Sequence, residues 1–469
     1  MIPRRAWLRY AAPILVAALL WRVQPPAGVE PEAMHLLALL LATIVGIILK
    51  PLPMGAVAMV GIAATAATGT LSVSQSLSGF GNPTIWLIVL AFFISRGFIK
   101  TGLGARVAYH FMAWLGRRTL GLGYGLVATD LVLAPAIPSN TARAGGVVFP
   151  ILRSVAEAYG SRPGDGTARR VGAFLTVAAF QGTVITSAMF LTAMAANPLA
   201  VELAAAQGIT ITWAGWAMAA VVPGACSLVL VPWILYRLFP PEVKATPEAV
   251  AVARERLREL GRMKRAEWVM VACFVLLLGL WILAEPLGIH TTTTALVGLV
   301  LLIVTQVLSW EDVLQEKGAW DTLVWFSALV MMATHLTELG FIPWFSEAAG
   351  SVFTGAGWVG GFLALSLVYF YSHYLFASNT AHVSAMYAPF LGVALALGTP
   401  PMLAALVLAF FSNLFSSMTH YGTGPAPVLF GAGYVEVGDW WRLGLVVSVV
   451  NLAIWLAVGG VWWRMLGVW

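Results

Sequence analysis

Apolar stretches of about span length recur along the whole chain, and the lysines and arginines between them crowd into alternate connections. About 20 apolar residues in a helix cross the hydrocarbon of a bilayer. Spans read near 8–23, 33–49, 54–72, 84–101, 171–203, 215–236, 267–284, 294–309, 320–339, 400–432 and 442–464. Two further stretches, near 120–158 and 357–395, are apolar but interrupted midway by polar turns. They read as hairpins that enter and leave on one side. The predicted fold class is therefore an all-α polytopic membrane protein, with eleven transmembrane helices and two re-entrant hairpins. Composition agrees, since 60% of residues are hydrophobic and 10% charged, against about 25% charged in a soluble domain.

The basic residues set the predicted orientation, because cytoplasmic connections are rich in Lys and Arg. With the N-terminus inside, the inward segments hold Lys50, Arg96 to Arg118, Arg153 to Arg170, Arg237 to Arg265, Lys317 and Arg442. The outward connections 24–32, 73–83, 204–214, 285–293, 340–356 and 396–399 contain neither Lys nor Arg. Arg22 and Arg464 sit at span ends, where long side chains snorkel. The basic start MIPRRAWLRY leads into an uncleaved first span. An inner-membrane protein follows, with its N-terminus cytoplasmic and its C-terminus periplasmic or extracellular. The net charge of +6 tracks these connections, so lipid rather than nucleic acid is the expected surface. The charged, helix-patterned segment 237–266 reads as a cytoplasmic linker. Stretches 104–118 and 341–353 read as interfacial amphipathic helices. Cys226 and Cys273 lie in apolar runs without metal-ligand spacing.

Within the two hairpins the chain repeats itself. Ser139-Asn140-Thr141 recurs as Ser378-Asn379-Thr380, 239 residues later. Both triplets continue into Ala, then Arg143 or His382, then a proline. An odd number of spans separates the hairpins, so the halves form inverted repeats. Each hairpin precedes a span rich in small polar residues, QGTVITSAMFLTAMAANP (181–198) and SSMTHYGTGPAPVLFGAG (416–433). Thr186 and Thr423 hold matching places in them. Such clusters unwind a helix, and unwound backbone survives in a membrane only inside protein or along a cavity. Paired interruptions in two halves point to a midplane site. One such triplet alone is an ordinary turn; two copies with broken spans are not. Helix starts offer N–H groups and partial positive charge to an anion. Freed carbonyls with Ser and Asn oxygens suit Na⁺.

At these motifs the chain resembles the divalent-anion/sodium symporter family, in the branch of plastid 2-oxoglutarate/malate translocators and bacterial citrate/succinate and tartrate/succinate antiporters. PSNTARAGG (138–146), FLTAMAANP (190–198), FASNTAH (376–382) and THYGTGPAPVLFGAGYV (419–435) carry the resemblance, with KPLPMGA (50–56), NPTIWLIVLAFFISRGFIKTGLG (82–104) and AWDTLVWF (319–326). It covers nearly the whole chain. It implies a homodimer whose protomers carry a scaffold (1–118 and 267–354, with the linker 237–266) and an elevator-type transport domain (119–236 and 355–469). It implies a small carboxylate substrate held by Asn140, Thr141, Asn379 and Thr380. It also implies Na⁺ as coupling ion, with Ser139, Asn140 and Gly182 around one position and Ser378, Asn379 and Thr423 around the other; no other cofactor follows.

Arg143 and His382 depart from the sodium-coupled pattern, which usually lacks a charge there. A fixed cation at the tip stands in for a coupling ion or meets a further carboxylate, which favours exchange of one anion for another. Kept asparagines at 140 and 379 favour the Na⁺-coupled alternative. Charge inside a membrane is expensive and usually functional, so Arg143 and Asp130 are candidates for a direct role, Asp130 as a proton carrier. His335, Glu338 and His373 are weaker candidates. Neither a nucleophile–base pair nor a His-Glu-x-x-His cluster is present, which argues against an enzyme, and no phosphate-binding Gly-x-x-x-x-Gly-Lys-Ser/Thr loop argues for an ATP-driven pump. An anion channel is the rival of a different class.

Overall fold

The computed structural model describes residues 7–352 and 357–469. The basic residues at 1–6, and the boundary between the second scaffold part and the second hairpin at 353–356, lie outside them. The described residues are helical, with no β-strand and one isolated bridge, Arg118 to Ala245.

The chain opens with α1 (Trp7–Leu20), α2 (Pro31–Leu49), α3 (Met54–Ala67), α4 (Pro83–Thr101) and the amphipathic α5 (Leu103–Leu115). Local chemistry sets their ends. Pro31 and Pro83 stand in first turns, where a missing N–H costs nothing. Asn82 caps α4 by accepting from the N–H groups of Thr84 and Ile85. The span read at 54–72 is shorter as a helix, because the chain turns at Gly69 (φ 69°) and restarts at the Ser72–Gln75 capping box. The first hairpin follows as α6 (Thr119–Leu133) and α7 (140–158). Next come α8 (Gly172–Met189), α9 (Ala196–Ala205), α10 (Trp213–Leu238) and the linker helix α11 (Pro247–Leu260). The second half repeats the order: α12 (Arg265–Ile282), α13 (Thr291–Val304), α14 (Lys317–Glu338), α15 (Phe341–Val352), the second hairpin α16 (Trp358–Ser372) with α17 (379–396), α18 (Pro401–Leu414), α19 (Pro425–Gly431) and α20 (Val437–Met465).

Among the described residues, six helices are long and apolar enough to cross a membrane: α2, α4, α8, α10, α12 and α20. They differ in what surrounds them. Only 28% of the α12 residues are buried, whereas α8 is buried throughout. Ile14, Val60, Val229, Val275 and Val304 are exposed around the outside, an apolar belt of the kind lipid covers. The core gathers around α8, where Phe174 and Phe180 are among the largest fully buried side chains.

Contacts sort the connections onto two faces. On one face, the N–H of Thr119 donates to Lys244, those of Glu242 and Val243 to Arg169 and Arg170, and Tyr159 donates to Glu248. Lys100 pairs with Asp312 at 2.5 Å, and Arg106 with Glu267 at 2.6 Å. These are the segments the sequence assigned to the basic side. Burial alone would raise the Asp312 carboxyl, but the bonds from Lys100 and Ser309 outweigh it and hold it down at about 2. On the opposite face, Glu30 N–H donates to Leu339, Asn82 to Glu202, and Thr292 to Pro83. The first hairpin opens toward the basic face. The second opens toward the other, where Trp358 meets Trp469 and Gln207 donates to Ala388.

With Cys226 and Cys273 replaced by Ser, an impermeant thiol reagent is expected to reach a cysteine at exposed position 165 from the cytoplasm and one at exposed position 27 from outside. Labelling of both from one side would refute the two-face topology.

Candidate functional site

Each Ser-Asn-Thr triplet starts the second limb of its hairpin. Ser139 and Ser378 stand in extended backbone, and each side chain accepts from the N–H three residues on, that of Ala142 or Ala381. The helices begin at Asn140 and Asn379, pass through a π-helical turn at Ala144–Val148 and Val383–Tyr387, and resume at Phe149 and Ala388. Each of these starts and turns keeps the offset of 239 residues. π-turns inside helices occur often at functional sites. Gly145 and Gly146 hint at the first; nothing in the sequence marks the second.

Both hairpins meet the break in the second interrupted span. There α18 gives way to a 3₁₀ turn at Phe415–Ser417, and α19 begins only at Pro425. Asn140 Nδ2 donates to Thr423 Oγ1 at 3.4 Å. Thr141 packs so tightly on Gly424 that a Cβ there would fall 1.9 Å from Thr141 Oγ1. From the other hairpin, Asn379 Nδ2 donates to Ser416 Oγ at 2.7 Å and to Ser412 O at 2.9 Å, and His373 Nε2 lies 2.9 Å from Gly422 O. Ser139, Asn140, Thr141, Ser378 and Thr380 are half-buried, whereas Asn379 and Thr423 are buried. Two helix starts thus converge on one unwound stretch, a geometry suited to anion oxygens.

The first interrupted span breaks later than its composition suggests. α8 continues through Gly182 and Thr186 to Met189, and the chain unwinds at 190–195. Gly182 is needed for packing, since a Cβ there would lie 2.6 Å from Val127. Thr186 is turned to Asp130, to whose carboxylate its hydroxyl donates. The freed carbonyls of Ser187 and Phe190 are taken by Asn197 Nδ2 at 2.8 and 3.0 Å. Asn197 Oδ1 accepts from Asn413 at 2.8 Å, and Gln181 caps Ser417 O at 2.8 Å. Asn197, Asn413 and Gln181 went unmarked in the sequence; the signal was a fully polar amide inside an apolar span.

Arg143 neither snorkels nor carries a free charge. It is fully buried, and its Nε donates to Asp130 at 3.0 Å. Its Nη1 donates to Ile137 O and Ala193 O, both at 2.6 Å, and Nη2 to Ser187 Oγ at 3.1 Å. The guanidinium therefore ties the carbonyl just before the first tip to one freed by the first break. Its counterpart His382, equally buried, lies 3.0 Å from Ser372 Oγ and packs against Tyr369, Phe376 and Phe415. Tyr369 stands 239 residues after Asp130, so an ion pair in one half is an aromatic pair in the other. His335 and Glu338 are bonded to each other at 2.6 Å beside Ser78, away from both hairpins.

The oxygens offered to a cation differ likewise. Around the first break, the carbonyls of Ile137 and Ala193 already accept from Arg143. Around the second, Gln181 Oε1, Asn413 Oδ1 and Thr419 Oγ1 are buried without a hydrogen-bond partner.

Similarity to known proteins agrees with this architecture. Residues 4–469 match the family described as the sodium:sulfate symporter transmembrane region. The chain is 57% identical over 457 residues to a protein named putative malate transporter YflS from Bacillus subtilis (strain 168), covering 97% of this chain and 96% of that one. It is 51% identical over 461 residues to dicarboxylate transporter 1, chloroplastic, of Spinacia oleracea, covering 98% and 81%. Two solved structures share the fold at low identity: the Alcanivorax borkumensis YdaH transporter (TM-score 0.59, 16% identity, 98% of both chains) and Neisseria gonorrhoeae MtrF (TM-score 0.56, 15%, 96% and 97%). Two helix starts on one unwound stretch, in a chain matched almost end to end, belong to a transporter rather than an enzyme: this protein is a member of the sodium:sulfate symporter transmembrane family.

Proposed function

We propose that the protein is a secondary carrier of di- and tricarboxylates of the 2-oxoglutarate, malate, succinate and citrate class, acting as an anion exchanger in the inner membrane. The observation that carries this reading is the convergence of both hairpin tips on residues 415–424. The N-termini of α7 and α17 supply N–H groups and partial positive charge, and Asn140, Thr141, Asn379 and Thr380 add donors for carboxylate oxygens. The names of the relatives, malate and dicarboxylate transporters, indicate the same substrate class.

Exchange is favoured by Arg143. Its guanidinium sets a built-in positive charge beside the first tip and holds the carbonyls of Ile137 and Ala193. That half of the site is assembled without Na⁺. A second reading, Na⁺-coupled symport, rests on the unfilled oxygens of Gln181, Asn413 and Thr419 beside the second break and on the asparagines at 140 and 379. In either case transport proceeds by an elevator movement of residues 119–236 and 355–469 against a dimeric scaffold.

Counterflow in proteoliposomes, with a panel of dicarboxylates and with choline replacing Na⁺, tests this reading. Exchange is expected to persist in choline. Uptake into liposomes empty of dicarboxylate, driven by an inward Na⁺ gradient, would restore the symporter.

Thr141→Ala and Thr380→Ala are expected to weaken substrate affinity about ten- to a hundredfold. One hydrogen bond to a charged group is worth roughly 1.5–3 kcal/mol. Affinities unchanged in both variants remove these hydroxyls from the site.

Asp130→Asn is expected to lower stability by about 3 kcal/mol, since breaking a buried pair strands the remaining charge. The double variant Arg143→Met with Asp130→Leu should recover much of that loss, read as a thermal midpoint, yet fail in Na⁺-free exchange. Full exchange by the double variant would make the pair merely structural.

A further inference from the structure

The connection between α2 and α3 carries a cation in a backbone conformation that a lysine rarely adopts. Lys50 ends α2 at φ 50° and ψ 54°, in the left-handed region. Glycine is the usual residue at such a helix end. A following proline also disfavours helical backbone at the preceding residue, and Pro51 follows. Outside glycine, only Lys50 and Gln306 take positive φ among the described residues. Outliers of this kind cluster at functional sites and persist where the surroundings over-determine them.

The surroundings do so here. Tyr10 donates to Pro51 O at 2.9 Å, and the N–H of Gly55 donates to Asp321 Oδ1 at 3.1 Å. Prolines at 51 and 53 stiffen the stretch between these anchors. Lys50 is exposed and has no ion pair among the described residues, whereas its neighbours on the basic face, Lys100 and Arg106, are tied to carboxylates. The connection lines a cavity of about 450 Å³ together with one residue distant in sequence, Ser378. That volume lies within the roughly 300–1,000 Å³ of small-molecule sites. Ser378 caps α17, so the cavity leads from the basic face to the start of the second hairpin helix.

We propose that Lys50 is a substrate-positioning residue: a fixed cation at the basic-face mouth of the site, which draws a dicarboxylate in and holds its trailing carboxylate while the leading one reaches the second hairpin tip. This rests on the carboxylate-carrier reading. A rigid scaffold charge paired with a tip on the moving part acts only when that tip faces the cytoplasm. Lys50 therefore sets affinity on one side of the membrane, and the site need not carry its charge across.

The test is sided counterflow with succinate, in right-side-out and inverted vesicles, comparing the unaltered chain with Lys50→Gly, Lys50→Glu and Lys50→Arg. Lys50→Gly suits the left-handed backbone, so its thermal midpoint is expected to stay level or rise. Its KM from the cytoplasmic face should nevertheless increase about tenfold, the lower end of a charge-assisted hydrogen bond, with a smaller change in kcat. Lys50→Glu should be worse, and Lys50→Arg close to the unaltered chain. The difference should shrink in 1 M salt, where charges are screened within about 3 Å. An equal KM in Lys50→Gly, or an equal rise on both faces, overturns the role of Lys50 while leaving the carrier intact. No counterflow of any dicarboxylate by the unaltered chain overturns both readings.

Discussion

A helix broken away from water frees carbonyl and amide groups that must find partners inside the protein. Most of this fold's interior follows from meeting that demand twice. At the first break the carbonyls go to Asn197 and Arg143; at the second, Gln181 takes Ser417 O and His373 lies on Gly422 O. Arg143, Gln181 and His373 come from other elements of the same cluster, so each break is held partly from outside its own span. Asn197 to Asn413 closes the circuit between the two interrupted spans. Such a network resists partial rearrangement, because any one shift leaves a buried polar group unsatisfied. A body tied this way suits movement as a unit.

The same demand explains why the burial is uneven. α8 is enclosed along its whole length and contributes Gln181, Thr186 and Ser187 to the cluster, whereas α12 faces outward over most of its surface. Gly182 in α8 lets α6 approach to packing distance through Val127. Gly424 does the same for the first tip against the second break. Neither has positive φ; both are glycines because a neighbour occupies the space of a side chain.

Much of the architecture was legible in the sequence because it rests on period and charge. Apolar length gave the all-helical membrane class, the absence of Lys and Arg marked one face, and the repeated triplet located both tips to the residue. The family and the transporter class followed from the same motifs. What stayed hidden depended on partners distant in sequence. Composition placed the first break among residues 181–198, but Thr186 bonds within its helix and to Asp130, so unwinding waits until 190. Arg143 read as a spare charge because its partners, 6, 13, 44 and 50 residues away, leave no local pattern. Lys50 gave no signal either, since a left-handed helix end shows in sequence when the residue is glycine.

The two hairpins agree in backbone to the residue around their tips yet differ in how they hold charge. In the first hairpin Arg143 and Asp130 form a buried ion pair; in the second the corresponding places are His382 and Tyr369. A buried pair adds little net charge and is weak support for stability, so its worth lies in geometry: it fixes a tip to a break through directional bonds. An aromatic pair packs as firmly but leaves the oxygens near the second break unfilled. The first tip is thus held by the protein's own side chains, while oxygens of both halves, Gln181 of α8 and Asn413 of α18 among them, stay open beside the second break. Whether what arrives there is the substrate's own anion, meeting the start of α17, or a cation that precedes it decides between exchange and symport. The open oxygens lie beside the second break, whose hairpin shares a cavity with Lys50 through Ser378.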